Sequence, residues 1–160
     1  MKTPEEQARH AATQLLNASM TYARLILRKY GELGPFGYAM DAEGQVFRET
    51  VEVPRLPSDP KRLWKLLGDH MAQRVRRGAI QALAMSANVS LREPSAEGYV
   101  DAVVVSIEEA SGYAVEVTVP YRIYGGHLRN LLPRRIAVGK PVAEDADCHI
   151  FSARRASGLS

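Results

Sequence analysis

Three consecutive runs of strand-forming residues, at positions 79–91, 99–109 and 113–122, constrain the fold of this chain most strongly. Residues 100–107 alone contain four valines and an isoleucine. β-Branched side chains have restricted χ1 angles and pack well on a pleated surface. In the first and third runs, apolar residues alternate with small or polar ones. The pattern predicts three antiparallel strands joined in order, around which the remaining chain is arranged.

Two amphipathic helices, separated by a hairpin, come before these strands. The first helix is predicted to begin at Thr3, which forms a capping box with Glu6, and to end at Gly31. The second is predicted to begin near Ser58 and to end at Gly78. The sequence therefore predicts an α+β fold with two main helices on one antiparallel sheet of five or six strands. The predicted order is α-β-β-α-β-β-β, followed by an irregular extension.

The pattern weakens after Tyr124, where only short strands are predicted, at 136–138 and 148–151. We expect residues 1–152 to form a single domain and residues 153–160 to form a flexible C-terminal tail. The element order resembles that of profilin-like and Roadblock/longin-like folds. This resemblance concerns topology alone and implies no function.

One face of the first meander strand is unusually small and polar. It carries Ala82, Ala84, Ser86 and Asn88, whereas the opposite face carries larger apolar residues. Such a face is too small and polar for a deep core of its own. We expect either the first helix or a second protomer to cover it, and the second alternative predicts a homo-oligomer, with a homodimer as its simplest form.

Composition excludes several classes of protein. The 160 residues carry a formal net charge of only +3, from 21 basic and 18 acidic residues, so nucleic-acid binding is not favoured. The single cysteine excludes an internal disulfide and suits a reducing compartment. No apolar segment resembles a secretory signal or a membrane span. These features predict a cytoplasmic protein that makes no membrane contact.

Two stretches resemble a family of small bacterial proteins without an assigned activity. The first is Gly-Glu-Leu-Gly-Pro-Phe-Gly at 31–37, followed by Asp-Ala-Glu-Gly at 41–44. The second comprises Asp-Ala-Val-Val-Val at 101–105, the turn at Gly112 and Val-Pro-Tyr at 119–121. The resemblance spans roughly residues 20–125, and its motifs are turns, a proline bend and aromatic core positions. It implies no catalytic residues.

Residues with catalytic or metal-binding chemistry do not form a recognisable motif. Cys148 and His149 are adjacent, so in a strand they would point to opposite faces and could not act as a dyad. Asp145 and Asp147 lie nearby, but no His-x-His, paired cysteine or His-Glu-x-x-His pattern accompanies them. Glu108 and Glu109 are separated by strand alternation in the same way. We therefore predict no catalytic residues, no metal and no cofactor.

Scattered glycines and histidines do not change this prediction. Gly125-Gly126 and Gly139-Lys140 do not match a phosphate-binding loop, which requires Gly-x-x-x-x-Gly-Lys-Ser/Thr. The other histidines, His10, His70 and His127, are far apart in the sequence.

Three arginine clusters are the remaining candidates for a site that binds an anion or a partner. They are Arg74, Arg76 and Arg77; Arg134 and Arg135; and Arg154 and Arg155. If they converge, they could bind phosphate or an acidic protein surface. The simpler interpretation assigns the first cluster to a helix C-terminus and the others to solvated loops.

The sequence favours a non-catalytic protein-binding or interaction module. The alternative is a small hydrolase-like or ligand-binding enzyme, with a pocket that would join His127, His149 and an acid. A further alternative is nucleic-acid or phosphate binding through the arginine clusters. This alternative is weaker, because no aromatic residues interleave with the arginines.

Overall fold

The computed structural model describes residues 1–51, 53, 55–126 and 131–151. They form an α+β fold with two main helices on a single antiparallel sheet, as predicted. The helices are α1 (Pro4–Tyr30) and α2 (Pro60–Arg76). The strands are β1 (Phe36–Met40), β2 (Val46–Glu49), β3 (Ala82–Ser90), β4 (Asp101–Glu109), β5 (Ala114–Gly125), β6 (Arg134–Val138) and β7 (Val142–Asp145).

The strands follow the order β2-β1-β3-β4-β5-β6, and β7 also pairs with β5. The predicted hairpin and meander are confirmed. The described sheet has six strands in its main order and β7 as a seventh, because the segment predicted as an irregular extension adds both β6 and β7. Cys148–Phe151 is not the predicted strand, since Ile150 and Phe151 are helical.

Strands β6 and β7 occupy the same outer edge of β5, one after the other. Val138 pairs with Tyr121, and Val142 pairs with Thr118. Residues 139–141 therefore lie opposite residues 119–120, so the edge contains one extra residue. The Gly139 amide donates to the Pro120 carbonyl oxygen at 2.7 Å. We describe β6 and β7 as one edge strand interrupted by a β-bulge.

Helix α1 covers the face of the sheet that carries the small residues. Its capping box is formed as predicted, with Thr3 Oγ1 accepting from the Glu6 amide and Glu6 Oε2 accepting from the Thr3 amide. Ala82, Ala84 and Ser86 are fully buried in a core shared with this helix. Of the two predicted covers for this face, the structure shows the first helix.

Helix α2 packs against the opposite face, over β1 and β3. It begins after Asp59, whose side chain accepts the Lys61 amide, close to the start predicted near Ser58. Leu67, Met71 and Val75 are buried there. Gly37 allows close contact, because an added Cβ would lie 2.5 Å from Met71 Cε.

Tyr121 has a pKa raised to about 12, because its burial, and then the nearby Asp101 carboxylate, disfavour the phenolate. A tyrosine in the unfolded chain titrates near pH 10. The free energy of unfolding should therefore be unaffected by this group below pH 10 and should fall by about 2–3 kcal/mol as the pH rises to 12. Urea unfolding at a series of pH values measures this loss. Tyr121→Phe should abolish this loss of unfolding free energy between pH 10 and 12. An equal loss in the variant would contradict its assignment to Tyr121.

Candidate interaction face at the end of the first helix

The C-terminal end of α1 is joined to the edge strand by Arg134. Its Nη1 donates to the Lys29 carbonyl oxygen at 3.1 Å, and its guanidinium lies over Gly31. Gly31 has a φ of 75° and caps the helix in the left-handed region, where glycine is favoured. A cation at this position complements the negative end of the helix dipole. Arg134 therefore has a structural role as well as a charge.

A groove of about 560 Å³ lies between the end of α1 and β6. We call it the basic groove, and its lining residues are Arg24, Arg28, Pro133, Arg134, Arg135, Ile136 and Val138. Four of these seven residues are arginines, and none of the described residues that line the groove is acidic. Within the described ranges, none of the four arginines forms an ion pair with a carboxylate. The groove therefore carries uncompensated positive charge.

Exposed leucines lie beside the basic groove. An adjoining depression of about 430 Å³ shares Arg28 and Arg134 with the groove and is lined by Leu25 and Leu132. Leu25 is 57% exposed, and the neighbouring Leu131 is 81% exposed. We call the basic groove and these three leucines the interaction face. The interaction face therefore combines a cationic groove with an apolar patch beside it.

Of the three arginine clusters considered in the sequence, the first and the second do not converge. Arg74 and Arg76 line a different groove, alongside α2 and β2. Arg74 is already paired, since its Nε lies 3.1 Å from Glu49 Oε1 and its guanidinium lies over the Phe47 ring. Arg76 and Arg77 are exposed at the end of α2. Arg154 and Arg155 lie outside the described residues.

We did not predict from the sequence the cluster of charged side chains around Glu49. The Glu49 side chain is only 7% exposed, and its Oε2 lies 2.7 Å from His70 Nε2. His70 and Arg74 are one helical turn apart, so both reach the same carboxylate of β2. Among the described residues that line the groove of about 570 Å³ beside them, Thr50 is the only hydroxyl residue and none is a cysteine. A histidine held by a carboxylate resembles part of a catalytic set, but no hydrogen bond joins His70 to a nucleophile among these residues.

The structure places Cys148 and His149 beside different neighbours. Cys148 Sγ lies 3.7 Å from the Tyr113 carbonyl oxygen. His149 lines a groove of about 400 Å³ together with Glu108. Glu108 Oε1 accepts the amides of Ile150 and Phe151, so it satisfies two backbone donors at the start of the helical segment to which these residues belong. The proposed pocket of His127, His149 and an acid cannot be described, because His127 lies outside the described residues.

In the part of the chain that the structure describes, no three or more His, Cys, Asp or Glu side chains are grouped so that they could hold a metal ion. Among the same residues, neither helix combines the length and the apolar character needed to span a bilayer.

The chain matches no family model, no curated protein and no solved structure. We therefore infer a function from the geometry of this chain, and the family resemblance in its sequence stays a prediction.

Proposed function

We propose that this chain is a non-catalytic interaction module that binds an acidic protein segment on the interaction face. The observation that carries the proposal is the set of four arginines without carboxylate partners in the described structure, next to exposed leucines. An acidic segment with apolar side chains would neutralise the arginines and bury the leucines. Electrostatic complementarity of this kind favours association and fixes the orientation of a partner.

Two features favour a protein partner over a nucleic acid. The described residues that line the two depressions of the interaction face include no aromatic side chain on which bases would stack. Leu25 and Leu132 offer apolar contacts that a phosphate backbone would not use. We further propose a cytoplasmic location and self-association, with the lone cysteine favouring a reducing compartment.

The proposal is tested with two labelled probes of equal negative charge, a peptide of alternating glutamate and leucine and a single-stranded oligonucleotide. We expect the peptide to bind more tightly. Combining Arg24→Glu with Arg28→Glu should weaken peptide binding by at least about tenfold, because the groove would then repel it. Fluorescence anisotropy across a salt series measures both affinities.

The matched control combines Lys61→Glu with Lys65→Glu. These lysines are exposed and also four residues apart, but they lie on α2. An equal loss of peptide binding in this control would show that net charge alone attracts the probe, which would contradict a site at the end of α1. If the oligonucleotide binds more tightly than the peptide, and the Arg24 and Arg28 variant loses this binding, the partner of the interaction face is a nucleic acid and not a protein.

The second candidate function is the small hydrolase-like or ligand-binding enzyme. The Glu49–His70 contact in an open groove favours it. Loss of a hydrolytic activity of the purified protein in His70→Gln would support this candidate. Equal activity in His70→Gln and the wild type would remove it.

A further inference from the structure

The edge strand formed by β6 and β7 has opposite charges at its two ends. Arg134 and Arg135 begin β6, whereas Glu144 and Asp145 end β7. This strand pairs only with β5 in the described structure, so its other side is an unpaired edge of the sheet. Unpaired edges can bind a further strand through backbone hydrogen bonds.

We propose that two copies of this chain pair through this edge, antiparallel, about a two-fold axis at the bulge. The inference rests on the interaction function proposed above and assigns a second copy as one of its partners. In such a symmetric pair, each contact occurs twice. The register that centres the axis between Gly139 and Lys140 pairs Arg134 with Asp145, Arg135 with Glu144, Ile136 with Ala143, and Ala137 with Val142 of the second copy.

This register matches charge with opposite charge and apolar with apolar residues at all four positions. It also matches the faces of the sheet. Arg134 pairs with Gly125 and Asp145 with Val115, which places both side chains on the face that α1 covers. Arg135 and Glu144 lie on the opposite face. The agreement depends on the bulge, because residues 134 and 145 are an odd number of positions apart and would lie on opposite faces of a regular strand.

The isolated chain leaves like charges together, and this pairing would place opposite charges beside them. Glu144 lies directly opposite Glu116 of β5, and like charges at opposed positions in a sheet are destabilising. Arg134 shares the basic groove with Arg24 and Arg28. A second copy would place Arg135 beside Glu144 and Asp145 beside Arg134, which would relieve both repulsions.

The centre of the interface is compatible with the axis. The Lys140 amide donates to Glu97 Oε1 at 2.6 Å, so it is already satisfied within its own protomer. The same carboxylate lies near the lysine and offsets its charge. Val142, at 52% exposed, would be covered by Ala137 of the second copy. The interface is small, so we expect a dimer that dissociates on dilution.

Sedimentation equilibrium over a range of protein concentrations tests the pairing with two charge-reversed variants. Glu144→Arg and Arg135→Glu should each weaken self-association by at least about tenfold, because each places like charges opposite one another twice. An equimolar mixture of the two variants should recover a dimer, since every reversed charge then meets its opposite. This recovery also shows that both variants fold.

Glu116→Arg is the matched control, because Glu116 is exposed on the neighbouring strand, directly opposite Glu144 and away from the edge. It should dimerise at least as well as the wild type. A wild type that is monomeric at every concentration, or a Glu144→Arg variant that dimerises normally, would overturn the pairing. The acidic peptide would still bind a monomeric wild type if the interaction function alone is correct; failure of both measurements would remove both proposals.

Discussion

Replacing Glu49 with alanine should lower the free energy of unfolding by about 2–3 kcal/mol, because it leaves Arg74 and His70 without their shared carboxylate. A fully buried ion pair would cost more, but His70 and Arg74 are both partly exposed to solvent, which can compensate the charge. These contacts join α2 to the outermost strand, β2. Their loss should loosen the packing of this helix, and urea denaturation measures the change.

Glu43→Ala provides the control for this prediction. Glu43 is exposed in the turn between β1 and β2, and its side chain makes no hydrogen bond or ion pair with described residues. Its replacement should change stability by no more than about 0.5 kcal/mol. Equal effects of the two substitutions would show that the Glu49 contacts contribute nothing beyond those of an ordinary surface carboxylate.

Replacing Phe151 with alanine should have the largest effect, a loss of about 3–5 kcal/mol. Phe151 is only 3% exposed and belongs to the core that contains Leu67, Met71 and Leu83. The substitution removes a large apolar side chain and leaves a cavity between α2 and the sheet. Thermal or urea unfolding provides the measurement.

Leu56→Ala is the corresponding control, because Leu56 is exposed and its removal leaves no cavity. A loss of less than about 1 kcal/mol in Phe151→Ala would show that the segment at Ile150 and Phe151 is not part of the core. The Glu108 contacts with the amides of Ile150 and Phe151 would then not hold this segment in place.

Sequence patterns predicted the helices and the central strands because the signals for these elements are local. The capping box at Thr3, the terminal glycine at Gly31 and the alternation along β3 and β5 each depend on residues a few positions apart. Strand β7 had no such signal, since all four of its residues are exposed and do not alternate. The bulge could not be predicted from the sequence either, because Gly139-Lys140-Pro141 is typical of a loop.

The candidate sites were harder to predict, because they depend on contacts between distant parts of the chain. Arg24 and Arg28 resemble ordinary cations near a helix end until β6 is placed beside them. Glu49 and His70 are 21 residues apart, and no periodic pattern connects them. The spacing of His70 and Arg74 was the one available signal, since residues four apart share a helix face.

The small face of β3 first suggested a second protomer, and the fold removes that reason. Helix α1 covers Ser86 within the same chain, so the polar face requires no partner. Self-association is instead proposed from the charges and register of the edge strand. The two arguments concern different surfaces, and only the second is tested by Glu144→Arg.

Amide hydrogen exchange with and without the acidic leucine-containing peptide tests the central claim most directly, because it locates the contact without a substitution. When the peptide is bound, we expect slower amide exchange in the C-terminal half of α1 and in residues 132–138. The exchange rates in α2 should not change. Slower exchange confined to α2 and β2, around Glu49 and His70, would contradict the interaction face and favour the ligand-binding alternative.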